Sequence, residues 1–584
     1  MLRFRAQCAC VVLVSAISFA GSAQQESPAV PKLSEKIEVR VANVDVFVTD
    51  RAGNPIRDLT RDDFEIVENR IPQPIVNFFE ARPDAIAPAA ADVAPAAGAV
   101  LPAESAAPPR RVVFYIDNLT LTASQRNRLI AEMKSFVNES MRPHDEVMVA
   151  TFNRMLHIPL TFTDDRALIA AALEHLASES ASGETRFNEA AMAQQDIHAS
   201  GNNDQRVWLA KAYAQTVLND VQQSAKAVKT LMTNLAGLDG KKVLVLASEG
   251  FPIQPGVEMF EYIDRLGEEV SSRDEIQIRL KNPPEIRSGN SAATQPAAPP
   301  PMPGMSKMRG SAMVNAREFN AEKLIESIGA AANANGVTLY TIHAGALDGG
   351  VSAGADRSRA ISNTVAMQSR SNAEAGLKSL AELTGGLASV TASKHQGLFD
   401  GIRRDLDSYY SLGYRPAPGE GERTIQVRVK KGRYNVRTRR TFVQKSLDQE
   451  MSDRVIANLL SKPRGNDLKV LVTTEEAVET AKGKIRIPVK IHVPIDSLTL
   501  LEQNGGGLEG GFDVFVVVAD AGGALSPVVH RTQRVGVAAD QKESAKGTNY
   551  TYSLDFLMNR EAARVSVAIV DSISNATSFA RYDR

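Results

Sequence analysis

One short stretch of this chain has residue types that could do chemistry: Val112-Val-Phe-Tyr-Ile-Asp117-Asn-Leu-Thr-Leu-Thr122, an apolar run that ends abruptly in a carboxylate. A buried parallel strand delivers such a group to the rim of an α/β sheet, where ligands usually bind. Two uses are open to Asp117. It can help to hold a divalent ion, or it can cap the following helix or hydrogen-bond a neighbouring loop. Other reactive patterns are missing. The 8 histidines are scattered, with no HExxH, so a zinc hydrolase is not indicated. There is no GxSxG elbow and no GxxxxGK loop, and the glycine spacing in Leu246-Ala-Ser-Glu-Gly250 is wrong for a nucleophile turn. Ser248 therefore reads as a cap or a loop hydrogen-bonder, and the chain as non-enzymatic.

The elements that must position Asp117 follow from the pattern around it. At 584 residues the chain exceeds one hydrophobic core, so three or more domains are expected. A formal net charge of -1 gives no electrostatic case for nucleic acid or anionic lipid. Arg3 and Arg5, the apolar run 8–20 and small residues before Gln24 read as a secretory signal peptide over 1–23, cleaved after Ala23. Both cysteines, Cys8 and Cys10, fall inside it, so no thiol or disulfide is expected afterwards. No later run is long and apolar enough to span a bilayer, which points to the periplasm or the outside of the cell.

Residues 37–80 alternate apolar and polar side chains and turn at Arg51-Ala-Gly-Asn-Pro55, as half-buried antiparallel strands do. An Ala/Pro-rich linker covers 82–109. From 110 to 418 strands alternate with helices. Strands are expected at 112–117, 146–152, 242–247, 337–343 and 409–414, with helices at 124–141, 166–177, 204–235, 374–383 and 398–406. This is a doubly wound, Rossmann-like parallel sheet. Polar insertions near 178–203 and 283–310 read as surface loops. Residues 423–442 read as a basic β-hairpin, and 452–584 as a C-terminal β-sandwich. Neither 24–81 nor an isolated hairpin buries enough to stand alone, so the expectation is that 420–445 completes the first β-domain and that the α/β domain is inserted in it.

The opening VDVFVTDRAGNPIRDLTRDDFEIVEN, the strand VVFYID, and LAELTGGLAS followed by IRRDLDSYYSLGYRP together resemble the von Willebrand factor A-related proteins of the acidobacterial type. The resemblance covers most of the chain. It implies a metal-ion-dependent adhesion site at the strand ends, in which Asp-x-Ser-x-Ser, a Thr and a further Asp surround a divalent ion. Asp117 matches the motif aspartate, but the serine positions are Leu119 and Leu121. Thr120 and Thr122 lie one residue out of step and could serve only if the loop were reshaped. Thr185 matches the threonine, and Glu249 stands where the third loop's aspartate would be. The implied ligand set is Asp117, Thr120, Thr122, Thr185 and Glu249 around Mg²⁺ or Mn²⁺ in a degenerate, weak or vacant site. The leading function is then a secreted or periplasmic protein-binding scaffold with a protein partner. The alternative is an envelope-associated hydrolase whose site no motif reveals. The late run of arginines, including Arg437, Arg439 and Arg440, reads as a solvated strand face or as a docking surface for an acidic partner.

Overall fold

The computed structural model describes residues 41–82, 110–268, 311–345, 361–390 and 395–583, apart from 418, 420, 462–464, 481–482, 522–523 and 561. The signal peptide with its cysteines, the linker beyond Arg82 and the 283–310 insertion lie outside the described residues.

The runs richest in Val, Ile and Leu form the centre of a six-stranded sheet. Arg111–Asp117 lies between Glu146–Phe152 and Lys242–Ser248, and Lys242–Ser248 in turn pairs with Val337–His343, all parallel. Ala388–Ser389 adds a parallel edge, and Leu156–Thr163 an antiparallel one. Helices cover both faces. Val113, Tyr115 and Leu244 point into one core with Val228 and Leu231 of the helix Asn203–Leu235. Val112, Phe114 and Val245 point into the other with Leu129 and Met133 of Ala123–Ser140. The order in which strands are added reverses between Arg111–Asp117 and Lys242–Ser248, where an open α/β sheet forms its ligand crevice.

Asn203–Leu235 has 33 residues and is about 50 Å long, whereas a seven-residue strand spans about 23 Å. Its C-terminal half covers the sheet, and its N-terminal half overshoots. Ala210 and Ala214 on the overshooting half build a separate helical lobe with Ile197, Phe260, Phe319 and Val365. The 178–203 stretch belongs to this lobe as the helix Gly183–Ala199 and is not a surface loop. Its buried residues are mainly small, Gly183, Ala190 and Ala191 beside Ile197, so the apolar stripe is faint in the sequence.

Tyr409–Tyr414 does not join the parallel sheet. It pairs antiparallel with Ala42–Thr49 and Ile75–Ala81, and Ala42–Thr49 also pairs with Asn435–Thr438. A second sheet joins Phe64–Glu68 to Ile71–Gln73 and Gly421–Val429, which also takes Thr441–Gln444. The expected 423–442 hairpin forms only at its open end, where Arg423 and Thr424 face Phe442 and Thr441, and Asn435–Thr438 leaves it for the other sheet. Val44, Val48, Phe64, Tyr410, Leu412 and Val427 fill the space between those sheets. Arg423 donates to Glu68 at 2.8 Å within this body, both side chains being nearly fully buried. Early and late segments thus share one β-body.

The helix Leu447–Ala457 leads to the C-terminal sandwich. Met451 and Val455 pack against Phe515 and Phe579 of that sandwich, and Ala457 reaches the α/β core. One sandwich sheet is centred on Ile485–Pro494 with Asn549–Met558, the other on Leu508–Asp520 with Val529–Val537 and Ala562–Asp571.

The lobe buries an acid, Glu258, beside Tyr213, and burial pushes its carboxyl up to about 7. A raised acid favours folding while protonated, so its contribution is complete below about pH 4.5 and is lost as pH rises through 7. The expected outcome is a Trp208 fluorescence melt that shifts down between pH 5.5 and 8.5. Glu258→Gln should reduce that shift by its own share, on the order of 2–3 kcal/mol.

Candidate functional site

Backbone geometry at the end of Arg111–Asp117 turns the chain so that Leu119 and Leu121 point down rather than into the rim. Leu119 packs into one core and Leu121 into the other, both fully buried. Apolar side chains at these two positions anchor the loop by the same hydrophobic burial that holds the sheet. Asp117, also buried, then has to find donors locally. Ser248 Oγ donates to Asp117 Oδ2 at 2.9 Å, and the Leu119 N–H donates to Oδ1 at 3.1 Å. Ser224 Oγ of the long helix lies 3.5 Å from Oδ2. Thr120 Oγ1 lies 3.2 Å from Ser248 Oγ and accepts the Glu249 N–H at 3.1 Å, while Gly250 N–H donates to Ser248 Oγ at 3.1 Å. A hydrogen-bonded knot at the switch point joins the two central strands.

The structure brings Asp117, Thr120 and Glu249 into this knot and sends Thr122 and Thr185 elsewhere. Thr122 is the N-cap of Ala123–Ser140, in a reciprocal capping box with Gln125. Thr185 is exposed in the first turn of Gly183–Ala199. That turn is nevertheless docked against the Asp117 loop. Ser182 N–H donates to Asn118 O at 2.8 Å, Gly183 N–H donates to Leu121 O at 3.0 Å, and a Cβ at Gly183 would lie 2.4 Å from Leu121 backbone.

Burial pushes Asp117 up to about 6 against the hydrogen bonds that lower it. Burial likewise pushes Glu249 up to about 7, with Arg370 beside it opposing the rise. His343, the last residue of Val337–His343, is buried and pushed down to about 4 by that burial. Its Nε2 is 3.8 Å from Glu249 Oε2, but at neutral pH the imidazole is uncharged, so the two form no ion pair. Glu249 Oε1 and His343 Nδ1 are buried without a hydrogen-bond partner. Sequence reading missed His343 although it carries the Asp117 signature, an apolar strand ending in a polar group. It gave Ser248 no role toward Asp117, and Ser224 carries no signal at all inside its helix.

These residues do not fit a resident Mg²⁺ or Mn²⁺ as a five-ligand set. Octahedral oxygen coordination needs several converging donors. Here two serine oxygens are replaced by buried methyl groups, Thr122 serves its helix, and Asp117, Ser248 and Thr120 satisfy one another. Among the described residues no group of three His, Cys, Asp or Glu is disposed to hold an ion. Ser248 is not poised as a nucleophile either, since its hydroxyl is spent on Asp117 and no imidazole is among its hydrogen-bond partners.

No protein-family model matches the chain, and no curated protein matches it. Among solved structures it is similar to an aerotolerance-related membrane protein from Bacteroides fragilis, at 11% identity over 51% of this chain and 98% of that one, with a TM-score of 0.22. It is similar to BatB from Bacteroides thetaiotaomicron, at 10% identity over 51% and 97%, TM-score 0.23. A third is the vWF domain of the type V pili tip protein Mfa5 from Porphyromonas gingivalis, at 13% identity over 51% and 95%, TM-score 0.22. Likeness at this level carries no weight by itself. The strand order and the switch-point geometry describe the α/β body on their own.

Removing the acceptor should cost more than removing its charge. Asp117→Ala leaves Ser248 and the Leu119 N–H without an acceptor in a buried site, for an expected loss of about 1–3 kcal/mol in urea unfolding. Asp117→Asn keeps one acceptor oxygen and should lose less. Restoring a serine at Leu121 should lose about 2–5 kcal/mol, because it empties a fully buried apolar position. If Leu121→Ser is neutral, the loop is not anchored by that side chain.

Proposed function

We propose that the chain is an exported, non-enzymatic scaffold of the von Willebrand factor A-like kind, which presents the carboxyl-end rim of its α/β body to a protein partner without a resident metal ion. The observation that carries this reading is the location of the attachments. Lys241, just before the strand Lys242–Ser248, pairs with Asp45 of the β-body and lies over its Phe47 and Tyr409 rings, and Asn333, shortly before Val337–His343, donates to Thr441 of the β-body at 3.0 Å. The β-body therefore grips the amino ends of the parallel strands. At their carboxyl ends the helical lobe covers part of the rim by docking on the Asp117 loop, and the part with Glu249 half-exposed and Arg128 exposed is left to face a partner. Export rests on the signal-like residues 1–23.

Affinity capture from envelope extract of the producing organism tests the reading. The same captured protein should appear with and without EDTA, and should be lost with Glu249→Lys or Arg128→Glu. Capture that survives both rim changes would contradict it.

One observation favours a hydrolytic reading as second choice. Ser389 Oγ lies 2.9 Å from His395 Nδ1 at the sheet edge, and the backbone N–H of His395 donates to Glu132. An ester or amide substrate cleaved by the wild type and not by Ser389→Ala would favour it over the scaffold.

A further inference from the structure

The late arginines divide: Arg428, Arg433 and Arg440 have exposed side chains, whereas Arg437 and Arg439 are withdrawn from solvent against the α/β body. Residues 437–445 run across the C-terminal ends of two helices of the α/β body, Glu322–Ala334 and Asn363–Thr384, where unpaired carbonyls and the helix dipoles favour cations. Arg437 donates to Gly385 O at 2.9 Å and to both oxygens of Asp405, at 2.7 and 3.0 Å. Tyr340 donates to the same carboxylate at 2.6 Å. The Arg440 N–H donates to Leu383 O at 3.1 Å. Arg439 donates to Asn333 O at 3.4 Å and, on its other side, to Asn43 O of the β-body. Lys445 donates to Asn335 Oδ1 and Asp453 Oδ2, each at 2.6 Å. The approach is tight: a Cβ on Gly385, which has φ 81°, would lie 2.7 Å from Thr438 backbone.

An aromatic ring from the β-body closes the grip. Phe47 carries Lys241 over its ring at 4.6 Å and Arg437 at 4.9 Å, and Lys241 also lies 4.7 Å from the Tyr409 ring centre. Arg437 sits on Asn435–Thr438, which pairs with the strand of Phe47, so one side chain is tied to both bodies.

We propose that 437–445, with Phe47 and Lys241, is a clasp that makes the β-body and the α/β body open as one cooperative unit and so fixes the direction in which the rim points. The Arg437–Asp405 pair is largely buried, with side-chain exposures of 20% and 6%, so salt screens it weakly, and Lys241 is buried at 7% against a more open Asp45 at 36%. Asn363–Thr384 then acts as a rod between clasp and rim. Its C-terminus takes Arg437 and Arg440, while midway along it Ala373 packs on Gly250 and Gly376 on the Phe251 carbonyl. The inference does not depend on which partner the rim binds.

Native-state hydrogen exchange on the full chain, read by mass spectrometry on peptides from Ala42–Thr49 and Lys242–Ser248, tests the clasp. In the wild type both peptides should share one protection level. In Arg437→Gln the 42–49 peptide should lose protection on the order of 100-fold while 242–248 keeps its own. Lys241→Gln, which cuts the other side of the grip, should do the same more mildly and serves if Arg437→Gln does not fold. Separate protection levels in the wild type, or variants that lower both peptides in parallel or neither, would overturn the clasp.

Discussion

A carboxyl group buried at the end of a strand is the constraint around which the rim is organised. Water does not reach Asp117, so its charge and its lone pairs must be met by protein. Ser248 and the Leu119 N–H meet them. From that requirement the rest follows in order. Ser248 has to stand at the end of the neighbouring strand, Thr120 has to turn toward it, and Leu119 and Leu121 have to anchor the intervening backbone in the two cores. The second loop then docks on carbonyls of the first. In an ion-binding arrangement a cation would do this joining; here hydroxyls and backbone N–H groups do it, at a lower electrostatic stake.

The two ends of the sheet divide the work. At the carboxyl end polar groups are gathered with little charge to spare, and Glu249 and His343 retain unpartnered atoms there. At the amino end full charges are paired across bodies, on aromatic faces and helix ends. Buried pairs of this kind add little net stability over an apolar contact, but breaking one is costly, which suits a joint that must keep a fixed geometry. The C-terminal sandwich joins the same end through Leu447–Ala457: a Cβ at Gly237, past the end of the long helix, would meet Arg454 backbone at 2.3 Å.

How much of this was legible in the sequence depends on whether local pattern or long-range contact decided it. Glu146–Phe152 and Arg166–Ala177 are readable to the residue because an unbroken apolar run and a capped 3.6-residue stripe specify them locally. Tyr409–Tyr414 is readable as a strand but not in its sheet, since its partners lie more than 300 residues earlier. The same holds for 421–444, where alternation predicts two strands and says nothing about which sheet each enters. Of the five candidate ligands, Asp117, Thr120 and Glu249 come together at the strand ends that apolar runs and loop spacing point to. Thr122 lies apart from them in a capping box, which looks like a displaced ligand in sequence, and Thr185 lies on a helix that packs through small residues and leaves no stripe.

The central claim is that hydroxyls and backbone donors, not a cation, complete the rim. Isothermal titration of Mn²⁺ into the wild type and into Asp117→Ala measures it most directly. The account predicts the same small, unsaturable heats for both proteins. A saturable one-to-one isotherm in the wild type that vanishes in Asp117→Ala would contradict it.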